Sequence, residues 1–533
     1  MKPQNLIHIL MGIVFIALLP RAQAVDPPHS PDPPPFPVSN TADGSRALEG
    51  LTTGIYNSGF GMYALLNNGA ASFNTGVGGG ALLANTGDEN TAVGAGTLYL
   101  NTAGTFNTAT GGFALFSNTT GTSNVAIGDR ALFSNTTGIQ NTANGTLALF
   151  NNTTGEANTA TGMFALFNNT TASDNTATGF NALFSNTTGT RNTATGANAL
   201  QANSTGISNN AYGILALADN TDGSSNNAMG DDALLSNVHG SSNTAIGDHA
   251  LFANDANFNT AIGADTLTNN TIGVENTAIG NAALQSNTSG IDSVAVGLTA
   301  LQNNISGSSN TALGAAALLN NVVGFDNQAV GRGALRFSTG NQNIAIGREA
   351  GSGVTTASSV ICIGANLAGA DVSNSCYIGS IFGQTSSGGA AVFINSNGQL
   401  GTLTSSLRFK EGIKPMDHAS EALFALKPVS FRYKKDVDPQ RMSQFGLVAE
   451  EVEKVNADLV VRDKEGKPYS VRYDQVNAML LNEFLKEHRK VEDLEANAAR
   501  QQKQIEALTT GLQKVSAQLE ASKPAPQVVV NNQ

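Results

Sequence analysis

The residues of this chain that could do covalent chemistry are Ser405 and Lys410, five positions apart. A serine hydroxyl is a weak nucleophile until a base takes its proton. A lysine amine can be that base only when it is neutral, and burial or a nearby cation favours the neutral form. Pairs at this spacing are common in proteins, so the surroundings of the pair decide whether it matters.

The pair lies where the composition of the chain changes abruptly. Gly, Asn, Thr and Ala dominate residues 51–400, and no proline occurs between Pro37 and Pro415. Such a stretch suits a backbone whose N–H groups are used in hydrogen-bonded ladders. From Thr404 onward Lys, Arg, Glu and Pro return, with the mixed strand and helix pattern of a globular domain.

A 17-residue repeat fills most of the first part of the chain. The motif Asn-Thr-Ala-x-Gly and its variants start 18 times between Asn57 and Asn343, nearly always in steps of 17 residues and otherwise of 16. The full unit is Asn-Thr-Ala-x-Gly-x-x-Ala-Leu-x-x-Asn-Thr-Thr-Gly-x-x, as in residues 107–123, and we number its positions as slots 1 to 17. A short fixed period indicates one structural unit stacked on copies of itself.

Seventeen residues are too few for a helical-hairpin repeat or a propeller blade, but they suffice for a β-solenoid coil with two short strands and two turns. We expect Gly at slots 5 and 15 to provide positive φ or close backbone approach. We expect Asn at slots 1 and 12 to stack on its copies, and Ala and Leu at slots 3, 8 and 9 to form the interior. Alternatively, the Ala-Leu-x-x-Asn stretch forms a helical turn. Coils stacked at about 4.8 Å would make a rod on the order of 85 Å long.

Several copies of the motif resemble the head repeats of trimeric autotransporter adhesins (YadA-like), which carry Asn-Ser-Val-Ala-Ile-Gly. The matching segments are 124–128, 243–247, 276–280 and 343–347. The resemblance covers the motif and not the period, which is shorter in that family. It implies a left-handed parallel β-roll of three chains, and a narrow solenoid would gain stability from such side-by-side packing.

The repeat becomes irregular after Gly351, and we assign residues 51–350 to the shaft and 351–404 to its end. The two cysteines, Cys362 and Cys376, align with slots 3 and 2. Neighbouring strand positions point to opposite faces, so we expect no disulfide between them and a packed Cys362. Two thiols without suitably spaced histidines do not form a zinc site. We therefore expect neither a metal nor a cofactor.

The C-terminal part of the chain has the pattern of a long helix. Residues 476–490 have amphipathic spacing, which continues as a heptad seam at positions 491, 494, 498, 501, 505, 508, 512, 515 and 519. This pattern predicts an α+β domain over 405–490, a coiled coil over 491–521 and a disordered tail over 522–533. Gln501 in the seam suits a polar layer in a trimer.

The segment Thr404–Lys490 resembles the endosialidase-type intramolecular chaperone, the C-terminal peptidase domain of phage tail spikes and fibres. The resemblance implies a serine endopeptidase that acts once, in cis, and breaks the Thr404–Ser405 bond. Ser405 would be the nucleophile and Lys410 its general base. Four blocks in the family's order carry the resemblance: Ser405-x-x-Arg-x-Lys-x-x-Ile413, Leu426-Lys-Pro-Val-Ser-Phe431, Gly446-Leu-Val-Ala-Glu-Glu-Val452 and Val471-Arg-Tyr-Asp474.

Two residues beside the pair leave alternatives open. Arg408 is either the cation that favours a neutral lysine or a structural ion-pair partner. Ser406 stands where the family usually has Asp. If that carboxylate orients the lysine or a water molecule, the domain cleaves slowly or only trimerises.

The first residues have the pattern of an export signal. Lys2 precedes an apolar run, Ile9–Leu19, and Ala22-Gln23-Ala24 forms a small-residue cleavage site. We assign residues 1–24 to this signal and 25–50 to a proline-rich linker, and we expect no membrane span once the signal is removed. The net charge of −12, without a basic stripe, disfavours nucleic-acid binding.

The sequence therefore predicts a mainly β, homotrimeric, secreted or cell-surface fibre or adhesin with a self-releasing C-terminal chaperone. Its ligand would be a cell surface or a polysaccharide. One alternative is the same architecture without cleavage. Another is a carbohydrate-active tail-spike-like enzyme, which needs two carboxylates at a defined separation. Its acids Glu89, Asp174 and Glu275 form no recurrent pair. The export signal argues against a phage tail fibre proper.

Overall fold

The computed structural model describes residues 39–384 and 386–524, which form two compact units divided after Gln384. The predicted signal peptide, residues 25–38 of the predicted linker and residues 525–533 of the predicted tail lie outside the described residues. Within the described ranges, no helix is both long enough and apolar enough to cross a membrane.

The first unit is a parallel β-solenoid in which each coil contributes one three-residue strand to a single sheet. Each strand pairs in register with the next, so that Ala109 lies opposite Ala126 and Ala126 opposite Ala143. The predicted solenoid of 17-residue coils is thereby confirmed, whereas the YadA-like resemblance stays a prediction. The strands, β1 to β21, are Thr41–Asp43, Ser58–Phe60, Thr75–Val77, Thr91–Val93, Thr108–Thr110, Val125–Ile127, Thr142–Asn144, Thr159–Thr161, Thr176–Thr178, Thr193–Thr195, Asn210–Tyr212, Asn227–Met229, Thr244–Ile246, Thr260–Ile262, Thr277–Ile279, Val294–Val296, Thr311–Leu313, Gln328–Val330, Ile344–Ile346, Ile361–Ile363 and Cys376–Ile378.

Each coil has one strand rather than the predicted two, and the rest of the coil is a series of tight turns. In the coil that starts at Asn107, φ is 127° at Gly111, 58° at Phe113, 52° at Leu115 and 59° at Ser123. A left-handed residue at Leu115 rules out the alternative helical turn, because a right-handed helix needs negative φ. The left-handed conformation costs about 1–2 kcal/mol, and complete burial of the leucine side chain offsets a similar amount.

Small side chains and asparagines fill the narrow interior. The residues at slots 3, 8 and 9 of the repeat are buried, for example Ala109, Ala114 and Leu115, which are fully buried. The slot-12 amide of Asn118 is buried too, and its Nδ2 donates to Asn101 Oδ1 at 2.7 Å. The predicted side-chain ladders are therefore confirmed, and they satisfy polar groups that would be costly to bury without partners.

The turn between slots 12 and 15 is held by one recurring contact. Asn118 Nδ2 donates to the carbonyl of Gly121 at 3.0 Å. A Cβ atom on Gly121 would lie 2.4 Å from Asn118 Oδ1, so this glycine supplies space, as expected for slot 15. In two of the 16-residue coils this turn is one residue shorter and keeps the contact, since Asn85 Nδ2 donates to the carbonyl of Gly87 at 2.8 Å and Asn254 Nδ2 to the carbonyl of Ala256 at 2.9 Å. The third has Ser338 at slot 12.

The ends of the solenoid differ from the predicted domain limits. Strand β1 lies inside segment 25–50, which the sequence assigned to the linker, and Leu48 of the same coil is fully buried. The last strand, β21, lies well beyond residue 350. Cys362 is a buried free thiol and Cys376 an exposed one, as their slots predicted.

The second unit contains three two-stranded antiparallel sheets and a few helices. Its hairpin β22–β23 falls in segment 351–404, which the sequence placed at the end of the shaft. The strands are β22 (Val392–Ile394), β23 (Leu400–Thr402), β24 (Val429–Phe431), β25 (Gln444–Gly446), β26 (Val460–Arg462) and β27 (Pro468–Val471). The α-helices are α1 (Ala449–Val455) and α2 (Tyr473–Ala521), and the 3-10 helices are Leu407–Phe409, Asp417–Ala425 and Ala457–Leu459.

A small core lies beside the first turns of α2. Val452, Val460 and Met479 are buried within it. Helix α2 runs without interruption for 49 residues and includes the predicted helix and its seam. The seam is exposed in a single chain, 66% at Leu494 and 67% at Leu508. The helix is thus confirmed, and its coiled-coil packing stays a prediction.

Candidate functional site

Ser405 lies between strand β23 and the one-turn 3-10 helix Leu407–Phe409. Ser406 caps this turn, with an extended backbone and an Oγ that accepts from the N–H of Arg408 at 3.4 Å. The N–H of Lys410 donates to the carbonyl of Leu407 at 3.3 Å. The turn therefore shortens the path between residues 405 and 410.

The structure brings the two predicted dyad residues together. Lys410 Nζ lies 3.5 Å from Ser405 Oγ, the outer limit of a hydrogen bond. Nucleophile–base pairs are often this loose without substrate. Thr404, Ser405 and Lys410 are all exposed to solvent in the single chain. The pair can pass a proton once the lysine is neutral, and that form is favoured when water is removed from the site.

Arg408 contacts the other residues of the turn. Its Nε donates to Ser406 Oγ at 3.2 Å, and its guanidinium carbon lies 5.3 Å from the ring centre of Phe409. Within the described ranges it has no carboxylate partner, so the ion-pair alternative finds no support there. Ser406 stands where the chaperone resemblance leads us to expect Asp, and its hydroxyl accepts a hydrogen bond from Arg408.

Apolar side chains flank the dyad in the sequence and are open to solvent. Leu403, Leu407, Phe409 and Ile413 are each between 59% and 76% exposed. A single chain therefore provides no dry environment for the lysine.

The sequence analysis missed a second polar cluster, between the 3-10 helix Asp417–Ala425 and α2. Ser420 is completely buried, donates from its Oγ to Glu483 Oε1 and accepts from Asn482 Nδ2 at 2.7 Å. Lys486 Nζ lies 2.7 Å from Glu483 Oε1. The cluster holds the 3-10 helix against α2.

The charge of Glu483 fits this structural role. The ammonium of Lys486, followed by the hydroxyl of Ser420, lowers the pKa of the Glu483 carboxyl. The burial of Glu483 could have been found from the sequence, because Glu483 continues the spacing of Val476 and Met479 along the buried face of α2. With Ser420 Oγ shielded from solvent, the cluster does not offer a second nucleophile.

The comparison with known families concerns the segment that begins at the dyad residue Ser405. Residues 405–461 match the family described as chaperone of endosialidase. The match begins at Ser405, includes Lys410 and contains three of the four sequence blocks, all but 471–474. No curated protein matches the chain. The chain therefore carries a domain of the chaperone-of-endosialidase family at residues 405–461, after a long parallel β-solenoid.

Proposed function

We propose that the chain is an exported, trimeric, fibre-like surface protein whose C-terminal domain assembles the shaft and then releases itself. The observation that carries this proposal is the family match that starts at Ser405, directly after the β-rich part of the chain. The juxtaposition of Ser405 Oγ and Lys410 Nζ supports the cleavage step. The long solenoid supports the fibre.

The proposed reaction is a single hydrolysis of the Thr404–Ser405 peptide bond. Lys410 takes the proton of the Ser405 hydroxyl, and Oγ attacks the carbonyl carbon of Thr404. Lys410 returns the proton to the Ser405 nitrogen as the C–N bond breaks, leaving an ester between Thr404 and Ser405 Oγ. Water hydrolyses this ester to a Thr404 carboxylate and a free Ser405 hydroxyl and amine.

Assembly would switch the reaction on. Leu403, Leu407, Phe409 and Ile413 present apolar surface that other copies could cover. Covering it would remove water from Lys410 and favour the neutral amine that acts as the base. Cleavage would then follow trimerisation, and the released shaft would stay folded behind a high unfolding barrier.

Expression of the full chain beside Ser405→Ala and Lys410→Gln tests the cleavage. We expect the wild-type band on a denaturing gel to lose residues 405–533, with Ser405 as the new N-terminus of the small fragment. Both variants should remain intact. Ser430→Ala serves as the control, since Ser430 is an exposed serine of the same domain. Cleavage of Ser405→Ala at the same bond would refute the assigned nucleophile.

A second candidate is a domain that trimerises and stays attached. The engagement of the Ser406 hydroxyl by Arg408 favours it, because no carboxylate orients Lys410 from that position. Ser406→Asp distinguishes the two candidates. A faster cleavage in this variant would show that the dyad is intact and only poorly oriented.

Two of the acids named from the sequence, Glu89 and Asp174, lie too far apart to form the carboxylate pair of a polysaccharide-cleaving site. Glu89 and Asp174 both occupy the last slot of their coils, five coils apart. At about 4.8 Å per coil this separation exceeds 20 Å, whereas glycosidase carboxylates lie within about 10 Å. Polysaccharides and cell surfaces remain in our proposal only as ligands of the fibre.

A further inference from the structure

An uninterrupted row of apolar side chains follows the outer face of the sheet in its C-terminal half. The row, which we call the apolar column, consists of the third residue of each strand from β11 to β21. Most of its members are between 38% and 48% exposed, and the other two are half-buried. They are Tyr212, Met229, Ile246, Ile262, Ile279, Val296, Leu313, Val330, Ile346, Ile363 and Ile378.

The fold itself does not require apolar residues at this position. Strands β7 to β10 carry Asn144, Thr161, Thr178 and Thr195 at the same slot, with the same parallel pairing. A solvent-facing slot that accepts Asn and Thr in β7 to β10 is apolar eleven times in succession from β11 to β21. Exposed apolar rows of this kind mark interaction surfaces.

The surface lacks charge and has a fixed repeat, and both properties limit its partner. The first residue of each strand from β11 to β21 also faces outward, and none of these residues is charged. The column repeats at the strand spacing of about 4.8 Å. A partner that contacts every coil must have the same repeat and an uncharged face, and a second copy of this solenoid has both.

The area suffices for such an interface. Eleven coils give a strip about 50 Å long, and two outward positions per strand make it about 10 Å wide, on the order of 500 Å² per copy. Two strips packed together would bury on the order of 1,000 Å², the lower limit for a specific protein interface.

We propose that copies of the shaft pack against one another through the apolar column of β11 to β21, whereas β7 to β10 face solvent. The inference rests on the proposed trimeric fibre and adds which face joins its copies. Packing would also bring the exposed Cys376, at the first position of β21, into the contact region.

Thiol crosslinking of the full chain tests this face. In a Cys376→Ser background, Thr311→Cys places a thiol beside the column, and Gln302→Cys places one at slot 10, away from the strand. We expect a short bismaleimide to join Thr311→Cys copies and to leave Gln302→Cys copies unjoined on denaturing gels. Light scattering of the same samples reports whether copies associate at all.

The outcomes separate the two proposals. An oligomer in which only Gln302→Cys is joined, or in which neither variant is joined, overturns the proposed face and leaves the fibre proposal intact. A monomer by light scattering overturns both.

Charge substitutions in the apolar column provide an independent test of the proposed interface. Ile279→Lys, Val296→Lys and Leu313→Lys together place three like charges on adjacent coils of the column. We expect the cleaved shaft of this variant to fall to the mass of one copy. The matched variant with Lys at Thr161, Thr178 and Thr195 should keep the wild-type mass. A column variant that stays oligomeric, with an unchanged circular dichroism spectrum, contradicts the proposal.

Discussion

At the scale of single residues, buried amides hold successive coils together. Asn141 Oδ1 accepts from the N–H of Asn158 at 3.0 Å, and its Nδ2 donates to the carbonyl of Gly155 at 2.8 Å. Every atom involved is buried, so water cannot replace a lost partner. The solenoid is therefore sensitive to amide loss at slots 1 and 12, and far less sensitive at its surface slots.

Substitution of one ladder amide tests this sensitivity. Asn141→Ala should destabilise the shaft by about 1–3 kcal/mol, because the buried N–H of Asn158 loses its acceptor. Asn151→Ala is the control, since Asn151 is half-buried and its side chain bonds only to Asn168, so its effect should stay within about 0.5 kcal/mol. Urea unfolding followed by circular dichroism measures both. Equal losses would show that the ladder adds nothing.

Near the end of the solenoid an exposed carboxylate binds a turn of the preceding coil. Asp371 Oδ1 accepts from the backbone N–H groups of Thr355, Thr356 and Ala357, each at 2.8 Å. The hydroxyl of Thr355, followed by the N–H groups of Ala357 and Thr355, holds the pKa of the Asp371 carboxyl well below its usual range. The charged form is the one that fits this turn.

The lowered pKa predicts acid opening of the last coils. An unfolded aspartate titrates near about 3.9, so the contribution of Asp371 is complete at neutral pH and declines as the pH falls below about 4. We expect the protection of the Thr355–Ala357 amides against hydrogen exchange, corrected for intrinsic rates, to drop between pH 7 and pH 3. Asp371→Asn should have lower protection at pH 7 and a smaller drop. The same drop in both proteins would exclude this carboxylate as the cause.

At the scale of elements, periodicity predicted what depends on spacing and missed what depends on conformation. The 17-residue period, the buried Ala and Leu slots and the asparagine ladders could all be read from the repeat. The single strand per coil could not, because a left-handed leucine such as Leu115 is rare and carries no local signal. The residues of the candidate site likewise fall into those that spacing reveals and those that it does not. Ser405 and Lys410 could be found from spacing, whereas the contact between Ser420 and Glu483 depends on two segments about sixty residues apart.

The seam of α2 carries a prediction about assembly. Leu508 is a seam residue and Thr510 lies on the opposite side of the helix, and both are exposed in a single chain. Leu508→Lys should lower the yield of oligomer when the full chain refolds, because a charge would be buried in the coiled coil. Thr510→Lys should refold as the wild type does. Light scattering after refolding measures the yield, and a normal yield for Leu508→Lys would contradict the coiled coil.

At the scale of the whole molecule, the proposed release of the C-terminal domain would make folding directional. Parallel strands from many coils pair slowly, and the proposed C-terminal trimer would keep three chains at high effective concentration while they do so. Once the domain had left, the shaft would keep its fold only because unfolding is slow.

This order of events predicts a difference in refolding. The released shaft, denatured in guanidinium and diluted, should fail to recover its oligomer, whereas the uncleaved Ser405→Ala chain should recover it under the same conditions. Equal protein concentrations control for simple mass action. Comparable recovery of both proteins would mean that the shaft assembles without its C-terminal domain.

The shortened coils give this otherwise uniform rod a set of alignment marks. Those of 16 residues start at Asn74, Asn243 and Asn327, ten and then five coils apart. Because these intervals are unequal, two copies displaced along the axis by a whole number of coils match at most one of these three shortened turns. One missing residue in each of three loops therefore distinguishes the correct axial alignment from its many near-equivalents.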